Sequence, residues 1–161
     1  RTYPPRGAGR GRSSQWGGYR LMGAHFQDVI SYIIGAINAD STLTSAGLNK
    51  SYMYSAPERA VMPYVIAQKQ AGTINYTMCK QAYSTHFLAI KCVDTGFDGG
   101  KRARNIMDRV AQLIELQTPS ITDGGYVMTI KANNSYEYDE QESGNNNFYH
   151  SVIVFRIVIG Q

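Results

Sequence analysis

The sequence predicts an α+β domain: a mostly antiparallel sheet of four or five strands, two helices packed on one of its faces, and a basic N-terminal arm. Three observations predict it. Two segments repeat apolar residues with the helical period, five others alternate or are dense in β-branched residues, and no spacing demands parallel crossovers throughout. The 161 residues amount to one domain with a remainder, and 43% apolar content is enough for a core.

The remainder comes first. Residues 1–20 are rich in Gly, Arg, Ser and Pro, and "RGAGRGRSSQWGG" carries no acid. Such a segment cannot offset its ordering entropy alone, so it is expected to be disordered or ordered by a partner. The arm is taken as residues 1–21 and the folded domain as 22–161. Net charge divides the same way. Residues 1–24 hold five arginines and no acid, whereas 25–161 hold eleven basic and twelve acidic residues, against +4 for the whole. The positive excess therefore lives in the arm.

Phe26, Val29, Ile30, Ile33, Ile34 and Ile37 line one face of a helix beginning near Met22, with Asn38 and Asp40 as terminators. Gly35 sits in its middle. Residues 41–49 are turn-rich and 51–54 read as a short strand. A strand follows Pro63 over 64–69. "AGTINYT" is expected to turn the chain, with 77–83 extended. "THFLAIKCVD", 85–94, is the next strong strand. "TGFDGG" breaks it, and Ala103, Ile106, Met107, Val110, Leu113 and Ile114 mark a second helix over 100–116. "GYVMTIKAN" reads as a strand, "SYEYDEQESGNNN" as a long exposed acidic connection, and "FYHSVIVFRIVIG" as the strongest β signal in the chain.

Chemistry is sparse. No GxSxG frame, P-loop or dinucleotide fingerprint occurs. Cys79 and Cys92 stand 13 apart with no CxxC, and His25, His86 and His150 are scattered, so neither metal nor cofactor is expected. His86 and His150 fall inside strands and read as structural residues. Glu137, Asp139, Glu140 and Glu142 cluster, but without the glycine and spacing of a calcium loop. Lys101, Arg102 and Arg104 crowd the start of the second helix, where cations oppose the helix dipole and need a partner's acids, phosphate or water. No apolar run approaches 18 residues, so no membrane span is expected. The basic N-terminus lacks the apolar stretch of a secretory signal. An Arg/Gly arm with aromatics can bind single-stranded nucleic acid, but the body has no RRM, KH or zinc-finger motif.

The body resembles a known family. "FQDVISYIIGAINADSTL" leads into "VMPYVIAQ"; "HFLAIKCVD" is followed by a glycine turn and "ARNIMDRVAQLI"; the chain closes with "FYHSVIVFRIVI". This order, with "NADSTL" and "YHSVIVFRI" as its most specific pieces, resembles the tail-completion (tail terminator, or tail-to-head joining) proteins of long-tailed bacteriophages over about residues 22–160. The arm departs from the family pattern, which begins near Met22. The resemblance implies a non-enzymatic virion subunit, assembled in the host cytoplasm and placed at the head–tail interface. It implies a homo-oligomeric ring of six copies that ends the tail tube, meets the head connector or stopper protein, and lets genomic DNA pass through its lumen. Alternatives are another connector component, an adaptor or stopper, or a nucleic-acid-binding accessory protein. Candidate partner contacts are Arg1, Arg6, Arg10, Arg12, Trp16 and Arg20 in the arm, the acids at 137–142, and the Lys101, Arg102 and Arg104 cluster.

Overall fold

The computed structural model describes residues 17–77, 80–96, 98–121, 125–142 and 146–160, with side chains from His25 onward except at 77, 80–82, 142 and 146. Helix α1 runs Gly17–Ala39 and a short helix α2 Ser41–Ser45. Strands β1 (Lys50–Met53), β2 (Tyr64–Thr77) and β3 (Lys80–Thr95) precede helix α3 (Gly99–Ile114). Strands β4 (Tyr126–Glu142) and β5 (Asn146–Gly160) close the chain. The five strands form one sheet in the order β1-β2-β3-β5-β4. Only β1 and β2 pair in parallel; the other pairs are antiparallel.

The helical periodicity becomes the core. Phe26, Val29, Ile30, Ile33 and Ile37 of α1 are buried with Ala103, Ile106, Met107, Val110 and Ile114 of α3. They meet Leu88, Ile90 and Cys92 of β3 and Ile153, Phe155, Ile157 and Ile159 of β5. Both long helices therefore lie on one face of the sheet. Asn38 remains inside α1, and its Oδ1 accepts from Ser51 N (3.0 Å) and Ser51 Oγ (2.9 Å), fastening β1 beside the helix. Asp40 ends α1 and caps α2, its Oδ1 accepting from Leu43 N at 2.8 Å. That cap buries Leu43, in a stretch where the sequence suggested only turns.

Two expected connections are strands. "AGTINYT" does not turn: it continues β2 to Thr77, paired with β3 through shifts in register near Gln70 and at Asn75–Tyr76. The small and polar residues suggested a turn, but an edge strand wet on its outer side tolerates them. The acidic stretch 135–142 is likewise strand, not loop. β4 stays paired with β5 from Tyr126 to Glu142, through shifts near Met128 and Asn133. Its alternation of Tyr136 and Tyr138 with Ser135, Glu137 and Asp139 is a period-2 signal that the acidic composition obscured. Of the expected arm, Gly17–Leu21 belong to α1, and residues 1–16 lie outside the described residues.

Candidate functional site

The first turn of α3 faces the far end of the β4–β5 pair across a groove of about 430 Å³, lined by Gly100, Lys101, Arg104, Asp139, Tyr149 and Ser151 among others. Two glycines set the approach. A Cβ on Gly99 would stand 2.7 Å from Tyr149 Cδ2, and one on Gly100 3.2 Å from Tyr149 Cδ1. Only bare backbone lets that ring lie against the start of the helix.

Two of the crowded cations, Arg102 and Arg104, find their partners within the chain. Arg102 Nε donates to Asp94 Oδ2 at 2.6 Å and Nη2 to Oδ1 at 2.5 Å. Asp94 is fully buried at the end of β3, while the Arg102 side chain is 43% exposed. Arg104 Nε donates to Glu137 Oε1 at 2.8 Å and Nη2 to Oε2 at 2.6 Å. These bonds hold the Glu137 carboxyl below its usual range. Further along α3, Arg109 Nη2 donates to Asp40 Oδ2 at 2.7 Å. That bond, followed by the one from Leu43 N, lowers the Asp40 carboxyl. Each pair is a planar fork or charge-assisted bond that fixes α3 on a neighbouring element.

The predicted site residues therefore divide. Arg102, Arg104 and Glu137 serve as internal clamps. Lys101 and Asp139 are exposed at the groove without an ion pair among the described residues. Glu140 Oε2 lies 3.4 Å from His150 Nε2. Glu142 is the last residue of β4, and its side chain lies outside the described residues. Arg1, Arg6, Arg10, Arg12 and Trp16 also lie outside them; Arg20 lies in α1 with its side chain undescribed. Asp94, which the sequence reading passed over, is the only acid in the strand 85–94. A lone carboxylate ending such an apolar strand is the signal that marks it for a buried partner.

The histidines are structural neighbours of aromatic rings. His86 stacks on Phe26 with centroids 4.5 Å apart, and its Nε2 lies 2.9 Å from Ser84 Oγ. Burial, then the Lys69 charge, push its pKa down to about 4. His150 stacks on Tyr138 at 4.4 Å; burial, then Lys91, lower it, while Glu140 opposes. Burial pushes the Cys92 thiol up to about 12, which keeps it an inert, protonated core residue. No group of three metal-ligating side chains occurs among the described residues, and no described helix is long and apolar enough to cross a membrane.

The sheet face turned away from the helices has its own pattern. Reading across the register, it carries Lys50, Tyr64, Val93, His150 and Tyr138 in one row, and Tyr52, Ile66, Lys91, Val152 and Tyr136 in the next. Gln68, Ala89, Val154 and Asn134 follow, then Ala71, Phe87, Arg156 and Lys131. Valines fill the middle under longer neighbours. Tyr126 and Tyr83 flank Gly160 at the far end.

Charged groups thus lock α3 to the sheet and to Asp40, and the sheet face opposite the helices is left open. Residues 31–160 match the family model described as tail completion protein gp17. The chain belongs to this bacteriophage tail completion family and is a structural component of the virion tail. It is also similar in fold to a chain of a solved structure titled "Virion of native gene transfer agent (GTA) particle". That similarity has a TM-score of 0.62 at 12% identity, covering 89% of this chain and 99% of that one. No curated protein matches the chain.

Proposed function

We propose that this protein is the subunit of a closed ring, six copies around, that ends the tail tube and joins it to the head connector or stopper protein. Genomic DNA passes through the lumen without sequence-specific contact. Family membership over residues 31–160 is the observation that carries this reading. The sheet supports it. β4 is an edge strand whose outer side is covered by residues 115–120 only between Tyr126 and Ala132, and β1 covers β2 only from Tyr64 to Ala67. Two different edges at opposite ends of one sheet suit head-to-tail contacts, which close into a ring when the rotation between copies allows.

The basic segment ahead of α1, residues 1–16, grips a neighbouring subunit or an adjoining tail or connector protein. The exposed Asp139 and Glu140 of β4, with Glu142, offer it carboxylates, whereas Glu137 is already held by Arg104. Such charge complementarity steers association and sets register more than it adds affinity. Electron microscopy of the purified protein tests the reading, with labelling of the same protein in virions. Closed rings at the tail-tube end of the neck are expected. Labelling on the connector side assigns the protein as an adaptor or stopper instead, and a strictly monomeric protein that never caps tail tubes overturns the proposal.

A further inference from the structure

The charges on the two sides of the sheet are handled differently. On the helix side, Arg102, Arg104 and Arg109 of α3 are each paired with a carboxylate, and the lysines Lys69 and Lys101 are not, among the described residues. On the open side, Lys50, Lys91, Lys131 and Arg156 have no ion pair among the described residues. The rows they occupy contain no acid at all. The one described carboxylate on that face, Glu140, lies a row beyond His150, toward the end of the β4–β5 pair.

The four cations are also ordered. Lys131 of β4 and Arg156 of β5 stand directly opposite each other in register. Lys91 lies on the next strand, β3, two rows on, and Lys50 on the far edge, β1, one row further. They form one diagonal stripe across the full width of the sheet, roughly 25–30 Å from end to end at ordinary strand and residue spacings. Like charges directly opposite one another repel. A linear polyanion laid along the stripe relieves that repulsion, and tyrosines beside it supply further phosphate donors.

We infer that the open face of the sheet is the surface that meets double-stranded DNA, through its phosphate backbone along the stripe Lys131–Arg156–Lys91–Lys50. This deepens the ring reading and rests on it: the open face is turned to the lumen, and the helices are turned outward. Lysine, arginine and tyrosine on a broad sheet with no element to enter a groove give a contact that positions DNA and carries no sequence information.

The test compares the full chain with Lys131→Glu/Arg156→Glu, and with a control reversing two exposed cations elsewhere, Arg59→Glu/Lys69→Glu. A fluorescent random-sequence duplex is titrated between about 50 and 200 mM salt, where the logarithmic slope reports the phosphates neutralised. The face variant is expected to lose about two units of slope and at least tenfold in affinity at the higher salt. The control is expected to change little, and circular dichroism to show all three proteins folded. Equal affinity and slope for wild type and face variant overturn the inference. So does an equal loss in the control, which would mean that net charge alone is read. Loss of ring formation in the face variant also overturns it, by making this face a contact between subunits. If the wild type itself forms no rings, the ring reading fails separately, and the slope comparison still decides whether this face binds DNA.

Discussion

Arg104 on α3 and Glu137 on β4, 33 positions apart in sequence, are joined by two nearly parallel hydrogen bonds. Arg102, two residues earlier, makes the same kind of fork with Asp94. The geometry is alike but the surroundings are not. The Arg104–Glu137 side chains are 59% and 45% exposed, whereas Asp94 is fully buried. Removing Arg104 is expected to cost little, because an exposed pair is well screened. Removing Arg102 leaves a buried carboxylate with only the Thr95 N–H as partner among the described residues and is expected to cost more, about 1–3 kcal/mol. Urea unfolding of Arg104→Ala and Arg102→Ala checks the contrast, and similar midpoints for the two would refute it.

His86 gives the fold an acid sensitivity above the range of the carboxylates. Its folded pKa, about 4, is below the unfolded value of 6.5, so the unfolded chain takes up the proton first. Stability is expected to fall as pH drops from 6.5 toward 4. His150 is lowered as well and adds in the same direction. His86→Gln, which cannot titrate, should show a flatter profile through that window when urea midpoints are measured at successive pH values.

Gly35 lies in the middle of α1 on an exposed side, and a Cβ built there meets nothing within 4 Å. Gly35→Ala is expected to stabilise the protein by about 1 kcal/mol through helix propensity alone. A melting temperature raised by about 2–4 °C is the expected reading for a domain of this size.

Gly99→Ala should act in the opposite sense, because its new methyl group overlaps the Tyr149 ring. A loss of about 1–3 kcal/mol is expected from the overpacking. In a double-mutant cycle, adding Tyr149→Ser should recover part of it. Strictly additive losses would mean that the two positions do not share space.

The two long helices were legible because burial and periodicity agree: the residues that predicted α1 at Phe26, Val29, Ile30, Ile33 and Ile37 are its buried face. Strands β3 and β5 were legible from β-branched and aromatic density. The later halves of β2 and β4 were not. Asn75 and Thr73 on β2, and Glu137 and Asp139 on β4, are polar because one side of each strand is wet, and composition alone reads them as loop. The site was half legible. Arg102 and Arg104 stood out in the sequence, but their partners lie 8 and 33 positions away, beyond any local pattern, and Arg109, whose partner lies 69 positions away, did not. The stripe on the open face was invisible for the same reason, since register between strands places Lys131 beside Arg156.

Gly99 and Tyr149 occupy what is, sterically, one position. A ring at 149 penalises any side chain at 99, so the two codons are not free to drift separately. Across descendants of this gene, a larger residue at 99 should be found only on backgrounds where 149 has already lost its ring. The pair is thus a small heritable unit, one that ties the start of a helix to a strand encoded some fifty codons downstream.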